Sequence, residues 1–254
     1  MKPRTWVLLR GWTRDARHWN GLAERLAVAA PDTRVLAIDL PGTGRANKVR
    51  SPWTIGGITE HVRSALRAAD AGPPYSVLAV SMGGMVATDW AAKWSAEVEA
   101  AVLINTSMRP FNPPWERLRP SAYRSLLRAT RAPIALSERT ILQLTSRRLF
   151  DDAELLDRWT SLRLTNPVRR LDALAQLAAA ARFRAPRENP FRAVLLLTSA
   201  RDALVDTRCT LAMGHAWRCE VRSHPFAGHD LPLDDPDWVI AQASSIRLDS
   251  KPER

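Results

Sequence analysis

A chain of 254 residues, 46% of them apolar and ten of them tryptophan, has room for one large α/β domain with a sizeable insertion and material for a substantial core. No run approaches the roughly 18 apolar residues of a membrane span, and "MKPRTWVLLRGW" lacks the apolar stretch and cleavage site of a signal peptide, so a cytoplasmic protein is expected. The net charge of +11 is carried almost wholly by arginine, but no groove-reading basic helix or aromatic RNA-binding signature accompanies it, so no nucleic-acid partner is expected.

In chain order, residues 5–9 "TWVLL", 34–38 "RVLAI", 76–80 "SVLAV", 100–104 "AAVLI", 193–198 "AVLLLT" and 219–225 "CEVRSHP" read as strands. Most are continuous apolar runs, the pattern of strands covered on both faces. Helical patterns lie between them at 15–29, about 56–70, 82–96, about 205–216 and 236–246. Alternation of this kind implies right-handed crossovers and a mostly parallel, doubly wound sheet. From about 108 to 190 the rhythm breaks into helix-like stretches punctuated by proline. Asp151 and Asp152 are expected to open one helix there, and Asn166-Pro167 to cap and open the next. The expected organisation is a core of 1–107 and 191–254 with an all-helical lid at 108–190, and "DSKPER" is expected to be a frayed tail. Cys209 and Cys219 read as free thiols, and no CxxC or His-rich spacing suggests a metal.

The chemistry-bearing stretch is "AVSMGGMV", residues 79–86, a serine at the joint between a strand and a helix. A nucleophile elbow strains the serine backbone at such a joint and needs small residues two before and two after it, which Ala79 and Gly83 supply. A serine N-cap on an ordinary helix would leave the same trace. A serine nucleophile needs a base and an acid to orient that base, expected on loops after later strands, acid first. "SARDALVD" offers Asp202 and Asp206, with Asp202 nearer the strand end; "HPFAGHDLPLDDPDW" offers His229 in a loop and His224 within the strand pattern. His18, His61 and His215 fall in helical patterns and read as surface or boundary residues. An oxyanion hole also needs two backbone N–H groups, of which Met82 would supply one and Trp12, after the close turn at Gly11, the other.

With "RGW…W" (Arg10, Gly11, Trp12, Trp19), "DLPGTGR" (39–45), "AVSMGG" (79–84), "ARD" (200–202) and "GHDLPLDDPDW" (228–238), the chain resembles the α/β-hydrolase superfamily over nearly its whole length. Five modest motifs in the right order are specific. The likeness is strongest to small bacterial esterases of the pimeloyl-carrier-protein methyl ester esterase type, with Trp12 lining the acyl pocket beside Met82. Arg10 departs from the usual histidine and changes the charge near the pocket; Ala79 departs from the first elbow glycine. The family's first hairpin is expected to be absent or trimmed.

What the resemblance implies is a monomeric serine carboxylesterase with a Ser81–His229–Asp202 triad, needing no cofactor or metal and no membrane. A thioesterase, a lyase acting on a polycarboxylate, and a non-catalytic binding module are the alternatives. Residues 109–188 hold 16 arginines and 8 acidic residues, a solvated helical face or a docking surface for an acidic acyl carrier protein, a coenzyme A thioester or a carboxylate-bearing ester. By loose analogy with the esterases' lids, Arg139, Arg147 and Arg148 are the substrate-binding candidates.

Overall fold

The six segments read as strands form six strands: β1 (Arg4–Leu9), β2 (Thr33–Ile38), β3 (Tyr75–Val80), β4 (Val98–Ile104), β5 (Ala193–Ser199) and β6 (Glu220–His224). The structure, a computed structural model, describes residues 4–246; the tail expected to fray lies outside the described residues. All five strand pairings are parallel, in the order β2-β1-β3-β4-β5-β6. Along the central strands successive side chains feed opposite layers. Val7 and Leu9, Val77 and Ala79, and Ala101 and Leu103 face one core; Leu8, Leu78 and Val80, and Val102 and Ile104 face the other. Two buried faces explain why these strands read as unbroken apolar runs.

Helices α1 (Leu22–Ala29), α2 (Ile55–Ala68) and α3 (Met82–Lys93) separate the first four strands. The pattern at 15–29 predicts one helix. The segment is instead a 3₁₀ turn at Ala16–Trp19 followed by α1, because Asn20 (φ 51°) and Gly21 (φ 84°) both take the left-handed conformation and break the ladder.

Between β4 and β5 lie five helices: α4 (Pro114–Arg117), α5 (Pro120–Ala129), α6 (Ile134–Thr145), α7 (Ala153–Thr165) and α8 (Arg170–Arg182). Asp152 caps α7 by accepting the Leu155 N–H, as its position suggests. Asn166 does not open α8: it closes α7, its N–H bonded to the Leu162 carbonyl, and α8 starts only at Arg170. After β5 come α9 (Thr207–Trp217), then β6, α10 (Leu231–Asp234) and α11 (Pro236–Ser244). Helices α2, α3 and α9 supply one core layer, α1 and α11 the other.

The strand order reverses direction between β1 and β3, and loops leaving the carboxyl ends of two such strands open a crevice, the usual ligand site of an open parallel sheet. The insertion packs over that end partly through apolar contacts, with Leu142, Leu155 and Trp159 gathered on Leu233 of α10. A buried polar junction joins insertion to core. Glu138 of α6, fully buried, accepts from Arg14 Nη1 at 2.6 Å and from Arg163 Nη1 at 3.0 Å. The Arg14 guanidinium lies 4.3 Å from the Trp159 ring and also donates to His18 Nε2 at 3.1 Å. His18 is therefore no surface residue. Burial and Arg14 push it below its ordinary pKa, so it is neutral, with Nδ1 turned to Asp15.

Burial alone would raise the Glu138 carboxyl, but Arg14 and Arg163 outweigh it and hold the group below its ordinary 4.5. Breaking a buried ion pair from one side costs about 3–5 kcal/mol. Because Arg163 is part-exposed, Glu138→Ala is expected at the low end, about 3 kcal/mol, read as a lower urea midpoint. A carboxyl depressed in the folded state stabilises above its unfolded pKa and loses that contribution as pH falls, so the gap between wild type and variant should narrow in acid.

Candidate active site

Ser81 joins β3 to α3 at φ 55° and ψ −118°, a conformation that residues with side chains rarely hold without external support. The support comes from β4 and the segment after it. The Ser81 N–H bonds the Ile104 carbonyl at 2.9 Å, and its carbonyl accepts from Thr106 Oγ1 at 2.7 Å. The hydroxyl makes no capping bond to α3, so it is available for other work. The crowding that an elbow demands is present. A Cβ on Gly83 would stand 2.5 Å from the Leu9 carbonyl oxygen, and one on Gly84 2.7 Å from Thr106 Oγ1. Ala79 is completely buried in the core layer, so its methyl fits where the family pattern has glycine.

His229 and Asp202 meet as their spacing suggests. His229 Nδ1 lies 2.7 Å from Asp202 Oδ2, both side chains being buried. The other oxygen of Asp202 accepts the N–H groups of Leu204 and Val205 at 2.7 and 2.9 Å, which fixes the carboxylate plane. Asp206 is occupied elsewhere, capping α9 and pairing with Arg119 and Arg208. His224 is held by Asp235 and by backbone N–H groups of its own loop.

The histidine loop is clamped by two residues, Asn105, which lies outside the motifs, and Asp234, which lies inside "GHDLPLDDPDW". Asn105, just past β4 at φ 48°, donates to the carbonyls of His229 (2.8 Å) and Gly228 (3.3 Å) and exchanges two bonds with Ser199. Asp234 accepts the Gly228 N–H at 2.7 Å and the Ser146 hydroxyl at 2.5 Å, tying the loop to the end of α6.

The loop after β1 brings Trp12, and the first turn of α3 brings Met82, to the same cavity as Ser81 and His229. A Cβ on Gly11 would fall 3.0 Å from Ser81 Cβ, a tight contact, so glycine lets this backbone lie against the serine without displacing it. Helix α8 holds the loop in place: Gln176 Oε1 accepts the Thr13 N–H at 3.0 Å, and the Ala173 carbonyl accepts from the Trp12 indole at 2.8 Å. Gln176, fully buried in an otherwise ordinary helix, carries no sequence signal. "DLPGTGR" is a structural turn in which the Asp39 carboxylate receives the Ala16 and Arg45 N–H groups.

Arg10 does not lend free charge to the pocket as expected. It is buried in a two-pronged pair with Asp230 at 2.9 and 2.5 Å and lies 5.0 Å from the Trp19 ring. Arg139, Arg147 and Arg148 are also misplaced for contact with substrate in the cavity. All three are exposed and none lines it; Arg147 Nε bonds the Arg201 carbonyl, and Arg148 reaches the Asp234 carbonyl. The cavity is about 1040 Å³, roofed by α5, α6 and α8, with Leu126, Leu127 and Ile141 among its apolar walls. Its size is at the upper end for small-molecule sites.

The Alpha/beta hydrolase family model matches residues 6–242, and the chain belongs to that family. Solved structures of similar shape include the enol-lactonase from Burkholderia xenovorans (TM-score 0.75, 16% identity, covering 96% of this chain and 91% of that one). A thermophilic esterase from Thermogutta terrifontis (0.72, 20%, 95% and 88%) and an esterase from a Rhodococcus species (0.72, 19%, 96% and 91%) are also similar. At these identities the likeness shows the fold. An uncharacterized protein of Schizosaccharomyces pombe is 34% identical over 76 residues, 30% of this chain, and the matched segment spans only 14% of that protein. Among the described residues no helix is long and apolar enough to cross a membrane.

Burial opposes a charged His229 ring, but Asp202, with Asp230 behind it, outweighs burial and holds the ring above its ordinary 6.5. A base must be neutral to accept a proton, so any reaction using His229 should fade in acid, with a midpoint above about 6.5. In Asp202→Asn that midpoint should move to lower pH, and kcat should fall by about 10⁴-fold. A pH–rate profile of both proteins is the check.

Proposed function

We propose that the chain is a serine hydrolase of carboxylic esters, with thioesters as the related substrate type. One observation carries this reading: the strained, uncapped Ser81 shares a cavity with a buried His229–Asp202 pair at 2.7 Å. In the proposed reaction Ser81 Oγ attacks the ester carbonyl carbon as His229 Nε2 takes its proton. Asp202 keeps Nδ1 protonated and stabilises the imidazolium. The Trp12 and Met82 N–H groups receive the developing oxyanion, each donor being worth about 10²–10³ in rate. Collapse of the tetrahedral adduct breaks the bond to the leaving group, which takes the proton from His229 and departs as the alcohol or thiol. Water, deprotonated in turn by His229, then attacks the acyl-enzyme and releases the acid and Ser81.

The large, mainly apolar cavity supports a medium-length acyl group, in keeping with the resemblance to small bacterial esterases. The lyase alternative leans on Arg10 as a free cation and on the basic insertion, and the pairing of Arg10 with Asp230 removes the first of these. Ser81→Ala is expected to lower kcat on p-nitrophenyl esters by at least about 10⁴-fold. Its thermal midpoint should stay close to wild type, since the hydroxyl caps nothing. Retained activity in that variant would contradict the assignment.

A further inference from the structure

Three arginines that line the cavity take no part in the chemistry above: Arg109, after β4; Arg117, at the end of α4; and Arg184, just beyond α8. They converge through the backbone. Arg109 and Arg184 face each other across an isolated bridge, with the Ala185 N–H bonded to the Arg109 carbonyl at 2.7 Å. Arg117 is anchored by its tips, which donate to the carbonyls of Ala180 and Ala181 at the end of α8, while its Nε is buried without a partner.

No carboxylate among the described residues pairs with any of the three. Elsewhere in the cavity wall the protein balances its cations, Arg10 with Asp230 and Arg14 with Glu138. Glu116, next to Arg117, is committed to Arg208, and Asp206, whose N–H bonds the Glu116 carbonyl, to Arg119 and Arg208; Glu188, four positions beyond Arg184, is exposed and pairs with none of the three. Burial pulls Arg117 below its ordinary basicity, and the neighbouring Arg109 charge adds to that. Assembling like charges at an apolar wall costs stability, and a bound anion relieves it. Arg117 supplies a fixed guanidinium plane, whereas Arg109 and Arg184 are exposed and free to close on a ligand. Guanidinium groups suit planar or tetrahedral oxyanions through paired N–H donors.

We propose that Arg109, Arg117 and Arg184 form an anion subsite within the cavity, so that the ester acted on carries a carboxylate or phosphate on one of its two substituents. The use of the subsite in turnover rests on the hydrolase reading; its capacity to bind does not.

Two measurements separate these points. In the first, suberate and hexyl phosphate are titrated calorimetrically into wild type, Arg117→Met and the double variant Arg109→Gln/Arg184→Gln. The double variant guards against a folding defect, because those two side chains hold nothing in place, whereas Arg117 ties down the end of α8. Each variant should bind the preferred anion about 10- to 100-fold more weakly than wild type, the usual cost of losing a charged hydrogen-bond partner. The two ligands distinguish carboxylate from phosphate. No binding of either to wild type at millimolar concentration, or equal binding to wild type and double variant, overturns the subsite whether or not esters are hydrolysed. In the second, kcat/KM is compared for the p-nitrophenyl hemiester of suberic acid and p-nitrophenyl octanoate, and for acetyl esters of 8-hydroxyoctanoate and octanol. Wild type should favour the anionic member of one pair, which tells the acyl side from the alcohol side. That preference should shrink about 10- to 100-fold in the double variant. An unchanged preference, or none in either pair, overturns the subsite's role in substrate choice. Failure of every ester to turn over would fall on the hydrolase reading, and binding of the anions would still be decided by the calorimetry.

Discussion

The site depends on how closely two pieces of backbone pass at the point where the sheet changes direction. The loop leaving β1 lies so near the β3–α3 turn that a Cβ at Gly11 would meet Ser81, and one at Gly83 would meet the Leu9 carbonyl. That approach brings Trp12 and Met82 to one cavity with Ser81 and leaves little space for a side chain between the two pieces of backbone. Ser81 holds its unfavourable backbone angles only because Ile104 and Thr106 grip its amide and carbonyl. Strain of this sort persists where the surroundings over-determine it.

The rest of the structure secures that geometry from a distance. Asn105 and Asp234 fix the loop that carries His229, and Gln176 and Ala173 of α8 fix the loop that carries Trp12. The insertion thus roofs the cavity and also braces both of these loops. Its attachment is partly ionic, through Glu138 between Arg14 and Arg163. Buried pairs of this type add little net stability but fix one arrangement, because any other leaves a charge unpaired. The contrast with Arg109, Arg117 and Arg184, which pair with no carboxylate among the described residues, gives the cavity a chemical polarity that its apolar walls do not suggest.

Much of this is legible in the sequence, and for physical reasons. Strands buried on both faces appear as apolar runs, so the central β1, β3, β4 and β5 can be located, and the residues proposed as reactive follow strand ends, so Ser81, Asp202 and His229 stand out from local signals. What stays hidden depends on partners far apart in the chain. Gln176 bonds a residue 163 positions away and Arg10 one 220 positions away, and neither leaves a local trace. Asn105 does carry a usable signal, an asparagine just after a strand, since asparagine tolerates the left-handed conformation it adopts. The Asn166-Pro167 pair misleads because asparagine also suits a helix end. Arg139, Arg147 and Arg148 stand out only through a loose analogy with other lids in an insertion dense with arginine, and which arginines face inward is settled by packing.

The central claim, that Ser81 is the nucleophile, is tested most directly by mass spectrometry after treatment with a fluorophosphonate. The expected result is a single covalent adduct mapped to Ser81, formed more slowly as the pH drops and His229 becomes protonated. An unmodified Ser81 under conditions where esters are hydrolysed, or an adduct on another residue with activity lost in step, would contradict it.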